Sequence, residues 1–109
     1  MIDWSRVASL RDEVGADDFQ EVVSLFLEEA DAAVSDLGTA GPDMLEAQLH
    51  FLKGSALSLG FTDFARLCEE GERAAGAGTP DSVELSALLD CYAGSRRAFV
   101  EGVSEQAAA

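Results

Sequence analysis

The only histidine and the only lysine of this chain, His50 and Lys53, are followed at once by Gly54, all within the stretch LHFLKGSALSLGF at 49–61. On a helix, positions i, i+3 and i+4 are neighbours on one strip of surface. Helical side chains lean toward the N-terminus, so Lys53 tilts back over the turn that carries His50. Gly54 leaves that strip bare and costs the helix roughly 1 kcal/mol relative to alanine. These parts suit a group that accepts and surrenders a phosphoryl. A neutral imidazole nitrogen attacks, the ammonium offsets phosphate charge, and the bare glycine admits another protein's active site. A local rule broken without structural gain marks a place where function is expected.

Two plainer readings compete with this one. The histidine could be an ordinary surface residue with an accidental lysine neighbour. Glu46 and His50, at i and i+4, could instead begin a metal site, but two ligands are too few and no HExxH-type partner exists.

The elements that must position these residues are all helical. Phe19, Val22, Val23, Phe26, Ala30, Val34 and Leu37 recur at steps of three and four, an amphipathic stripe. Gly38 and Gly41-Pro42 end that helix and begin the next, with Pro42 suited to a first turn. Leu45, Leu49, Leu52, Ala56 and Leu59 form the following stripe, and Gly60 stands where a C-terminal cap belongs. His50 lies beside that stripe, hence at the border of the core. A further stripe holds Phe64, Leu67, Cys68, Gly71 and Ala75, with Thr62 or Asp63 available as its cap. After the GAGTP turn at 76–80 comes the last, through Leu85, Leu88, Tyr92, Phe99 and Val103. Trp4, Val7, Leu10 and Val14 mark a shorter first helix. No segment alternates with period two. The expected fold is all-α: helices at about 3–14, 17–37, 42–59, 62–77 and 81–103, with a frayed tail at 104–109. Four of them form an antiparallel bundle and the short N-terminal helix packs on it.

A length of 109 residues fits a single domain with one core. Cys68 and Cys91 have no CxxC spacing and read as core thiols. A formal charge of −14 disfavours nucleic acid and anionic membranes, and it can steer a partner with a basic rim. The N-terminal MIDWSR leads into acidic residues rather than an apolar signal segment, and no apolar run reaches the length of a bilayer span. A soluble, cytoplasmic protein is expected, and a monomer, since no spare apolar stripe is left.

His50-Phe51-Leu52-Lys53-Gly54-Ser55-Ala56, then Leu59-Gly60, then Cys68-Glu69 on the next helix, resembles the histidine-containing phosphotransfer (HPt) domain family. The family pattern is roughly HxLKGSSxxLG followed by a Cys and a Glu or Gln. The similarity runs over nearly the whole chain, including the short first helix and Phe26-Leu27 of the second. It implies that His50 is the phospho-acceptor, Lys53 the phosphate-stabilising cation, and Gly54 the clearance for a docking receiver domain. Glu72 falls where the family often places Glu or Gln near the histidine. There it either accepts the Nδ1–H hydrogen bond, leaving Nε2 as nucleophile, or is an ordinary solvated carboxylate. Gly71 departs from the family's usual leucine and leaves open how the helix over 62–77 packs near the site.

The resemblance implies a phosphorelay intermediate, receiving a phosphoryl from one receiver aspartate and giving it to another. Its partners would be receivers of a hybrid histidine kinase or of response regulators. It would need no cofactor of its own, with Mg²⁺ held by the receiver. The docking strip would run through 46, 50, 53, 54 and 57, with Leu57, Phe61 and residues of the first two helices as apolar contacts and Glu46 as a rim charge. Autonomous kinase activity is not expected, because the chain has no asparagine for an ATP-binding motif and no strands. The phospho-accepting module of a chemotaxis-type kinase shares HxxKG, but usually carries a second histidine one helix later, where Cys68 stands. A protein that only titrates receivers is disfavoured by the intact His50.

Overall fold

The computed structural model describes residues 1–39 and 41–108. Its five helices are α1 (Trp4–Val14), α2 (Ala16–Ser35), α3 (Leu45–Leu59), α4 (Thr62–Gly76) and α5 (Leu85–Ala108). Helices α2 to α5 form an antiparallel bundle, and α1 packs on α2 and α3. The bundle is elongated, 46 × 20 × 19 Å.

Each boundary has a local cause. Asp3 caps α1 by accepting from the Arg6 N–H, and Gly15 ends it at φ +88°. Helix α2 opens with Asp17 and Asp18, carboxylates that favour the positive end of the helix dipole. Pro42–Met44, expected as the first turn of α3, is a tighter 3₁₀ turn. Gly60 ends α3 in the left-handed region at φ +80°, where its N–H and that of Phe61 close onto the last α3 carbonyls.

The last helix differs most from expectation. A second 3₁₀ turn at Pro80–Ser82 and extended backbone at Val83 delay α5 to Leu85. Its far end runs as helix to Ala108, past the expected helix end at 103; Ala109 lies outside the described residues.

The expected stripes supply the core. Leu49, Leu52 and Leu59 of α3 are fully buried, as are Phe64 and Cys68 of α4 and Phe99 of α5. Each large side chain so buried contributes on the order of 1.5–3 kcal/mol. Burial pushes the Cys68 thiol up to about 12, so it stays protonated as a small apolar core group. Cys91 is half-buried, and both thiols are free. At Gly71 a Cβ would come within 2.8 Å of Leu49 Cδ1 and 3.4 Å of Val83 Cγ1. Those two side chains occupy the space a larger residue would take, and α3 and α4 pack closely there.

Phe61 overturns one expectation. Placed just past Gly60, it is fully buried, with its ring 5.5 Å from Phe99 and 6.1 Å from Tyr92, centroid to centroid. It is held there by an isolated antiparallel bridge to Ile2. The Asp3 N–H donates to the Gly60 carbonyl at 2.8 Å, and the Thr62 N–H and hydroxyl both donate to Met1. Thr62 is thereby taken from the capping role its type suggested, and α4 starts without a side-chain cap. Phe61 is a core residue and offers nothing to a docking partner.

Candidate functional site

The site lies where α3 faces α4. Gly60 and Phe61 turn the chain back sharply, so α4 runs antiparallel beside α3 and brings Glu72 opposite His50. His50 Nδ1 and Glu72 Oε1 are 2.6 Å apart. The other carboxylate oxygen, Oε2, is 3.0 Å from Lys53 Nζ. One carboxylate thus bridges the imidazole and the ammonium.

The three groups differ in access to water. The His50 side chain is 70% exposed, against 25% for Lys53 and 19% for Glu72. The Lys53 ammonium, and next the His50 ring, hold the Glu72 carboxyl below its ordinary value by bonding to the charged form. Glu72 is therefore ionised near neutral pH, and an ionised carboxylate only accepts hydrogen bonds. The proton between the two residues must then sit on Nδ1. In the neutral imidazole Nε2 then keeps its lone pair on an exposed ring, which is the form a nucleophile requires. Of the two roles open to Glu72, the geometry favours the imidazole partner over the solvated carboxylate.

Gly54 is exposed, and a Cβ built on it would meet no heavy atom within 4 Å. Among the described residues no packing need explains the glycine. Leu57, on the same strip, is a large apolar side chain left 56% exposed. Glu46 is exposed one turn before His50, and its carboxylate lies against the backbone of Gly76, where a Cβ would collide with it. Of the residues singled out for docking, the strip gathers Glu46, Gly54 and Leu57 around His50 and Lys53. Phe61 is not among them.

Phe51 was not anticipated as part of this surface. It is 49% exposed and lines a shallow groove of about 250 Å³ with Ala33 and Asp36 of α2 and its neighbourhood and with Ala47 and Gln48 of α3. The signal was available: an aromatic residue directly after His50 falls off the buried stripe, and so must face outward or toward the edge of α2. The Lys53–Glu72 bond had no such signal, because it depends on the register of α3 against α4. Among the described residues no cluster of three or more His, Cys, Asp or Glu side chains could hold a metal ion. None of the described helices is long and apolar enough to cross a membrane.

Residues 21–98 match the family model described as Hpt domain, a span that includes His50, Lys53, Gly54 and Glu72. No curated protein and no solved structure gives a match.

Proposed function

Because the chain belongs to the Hpt domain family, whose members carry out histidine phosphotransfer in phosphorelays, we propose that His50 accepts a phosphoryl from the aspartate of one receiver domain and passes it to the aspartate of another. The observation that carries this reading is the 2.6 Å contact between Glu72 and Nδ1, which leaves Nε2 as the nucleophile.

Nε2 attacks the phosphorus of the aspartyl phosphate, a P–N bond forms, and the P–O bond to the aspartate breaks. The carboxylate leaves, and Nδ1 keeps its proton under the Glu72 oxygen. That proton matters as much on the return. With it in place, cleavage of the P–N bond releases a neutral imidazole; without it, the leaving group would be an imidazolate. One hydrogen bond thus supports both directions of transfer. The transition state is loose and spreads charge over the phosphoryl oxygens, so catalysis is mainly positioning and charge stabilisation. Lys53 lies one turn from His50, near enough to offset part of that charge. Mg²⁺ and the acidic residues that bind it belong to the receiver, where the ion neutralises the phosphoryl oxygens. The chain acts as an intermediate without kinase activity of its own, as a cytoplasmic monomer.

Incubation with a phosphorylated receiver tests the reading. Label should appear on this chain, acid-labile and base-stable as an N–P bond requires, while ATP and Mg²⁺ alone should give none. His50→Gln should fold normally, since the ring is 70% exposed, and take up no label. Undiminished labelling of that variant would refute the assignment.

A further inference from the structure

The groove beside Phe51 ends on a carboxylate that the chain itself leaves without a cation. Asp36 lines it together with Ala33, Ala47, Gln48 and Phe51, and Asp36 also stands at the C-terminal end of α2. A carboxylate there meets the negative end of the helix dipole, where a cation is favoured. Helix α2 supplies none, since it contains no lysine or arginine. Asp31 on the same helix holds Arg96 at 2.8 Å, but among the described residues Asp36 is engaged through its backbone alone. Its carbonyl accepts from Gln48 Nε2 at 2.9 Å, and the Gly38 N–H donates to Gln48 Oε1 at 3.4 Å. That bracing fixes the end of α2 against α3, while the carboxylate stays exposed and unpaired.

We infer that this groove seats one lysine or arginine side chain of the docking receiver, its aliphatic stem on Ala33, Ala47 and Phe51 and its charged head on Asp36. Long basic side chains lay their stems along apolar surface in this way, and an aromatic ring attracts the charge. At about 250 Å³ the groove falls below the ~300–1,000 Å³ of a small-molecule site, a size that suits a single side chain. Phe51 follows His50 directly, about 100° round the helix, with Ala47 and the bare Gly54 between them on its surface. A receiver seated on His50 therefore reaches the groove. Residues 15–61, which carry α2, α3 and the turn between them, hold nine carboxylates and one cation, Lys53, already bonded to Glu72. Such a face draws in a basic partner and repels an acidic one. The inference rests on the proposed function, because it takes the partner to be a receiver, and adds which kind: one with a basic side chain beside its phosphorylated aspartate. Asp36 and Phe51 then set specificity among receivers without touching the phosphoryl.

The test is a titration of this chain with purified receiver domains. Asp36→Asn should weaken binding by roughly three- to fivefold, the range of a partly exposed ion pair, and Asp36→Lys by about tenfold or more. Asp17→Asn removes the same charge at the opposite end of α2 and should leave the affinity as it is, which separates a local contact from general steering. Each exposed lysine and arginine of the receiver is then changed to glutamine. One of them should lower the affinity for the unmodified chain and have little further effect on Asp36→Asn, the coupling that a direct pair requires. Melting curves establish that each variant is folded, the altered side chains being exposed. Equal losses from Asp36→Asn and Asp17→Asn would overturn the inference, as would a receiver in which no basic residue couples to Asp36. Labelling is scored separately. A receiver whose binding depends on Asp36 but which leaves His50 unlabelled would uphold the groove and overturn the proposed function.

Discussion

Gly54 stands one helical turn beyond His50, and the space where its side chain would be is empty to 4 Å. A glycine kept for close helix packing would show neighbours there, as Gly71 does with Leu49. Stability and function should therefore move apart at this position. Gly54→Ala should raise stability by roughly 0.5–1 kcal/mol, through helix propensity and a less flexible unfolded chain. Gly54→Gln should keep or raise the melting temperature while slowing transfer from a receiver sharply, with labelling by a small donor such as phosphoramidate preserved. Melting curves and transfer rates of both variants decide it: loss of both properties together would remove the clearance role.

Leu57 and Glu46 should separate affinity from steering. A receiver must bring its phosphoryl to about 3 Å from the histidine nitrogen, which presses its loops onto this strip. Leu57→Asp should weaken receiver binding, measured by titration, without lowering the melting temperature, because the side chain is more than half exposed. Glu46→Lys should change the association rate and its salt dependence more than the lifetime of the phosphohistidine. A change in lifetime alone would assign Glu46 to the chemistry.

Asp31 carries the clearest pH dependence. It takes Arg96 in bidentate fashion, Nε at 2.9 Å and Nη2 at 2.8 Å, together with the Tyr92 hydroxyl, and so ties α2 to α5. Arg96 is the main cause that holds its carboxyl below the usual value of 3.8. A carboxyl depressed in the folded state adds stability that is full above its unfolded value and is lost as pH falls through the folded one. The loss belongs to strongly acid solution, and Asp31→Asn should flatten it. Glu72 contributes in the same direction, so some acid dependence remains. At neutral pH Asp31→Asn should cost less than about 1 kcal/mol, since the pair is partly solvated and the amide still accepts from Tyr92. Asp31→Ala should cost about 1–3 kcal/mol more, by orphaning a buried hydroxyl. Equal losses in urea titrations would mean that the hydroxyl finds another partner.

The helices were legible because their buried faces repeat at three and four residues, and because Gly60 and Pro42 mark changes of direction. Gly54 drew notice for a different reason: it goes against the helix's own preference, and it stands beside the one histidine and the one lysine. What escaped was set by contacts between distant parts of the chain. Phe61 follows a cap glycine and belongs to no helical stripe, so nothing local reveals that Ile2 pairs with it and closes it into the core. The late start of α5 reflects a 3₁₀ turn after Pro80 that competes with an equally plausible helical first turn. Glu72 was found by its position in the family pattern, but its second bond to Lys53 depends on how α3 and α4 slide past one another. Periodicity carries no information about that.

The tether between the N-terminus and the α3–α4 corner sets an order of assembly. Met1 and Thr62 are 61 residues apart, and joining them costs on the order of 3–4 kcal/mol of loop-closure entropy by the logarithmic law. The α3–α4 hairpin closes across Gly60 and Phe61 alone, and it already contains His50, Lys53 and Glu72. The hairpin can therefore form early, and the N-terminal segment docks late and is the first to detach. Amide hydrogens of Asp3 and Thr62 should exchange with solvent well before those in the middle of α3 and α4. The cluster of His50, Lys53 and Glu72 then rides on a locally connected part of the chain, and it should keep its shape when the N-terminal segment detaches.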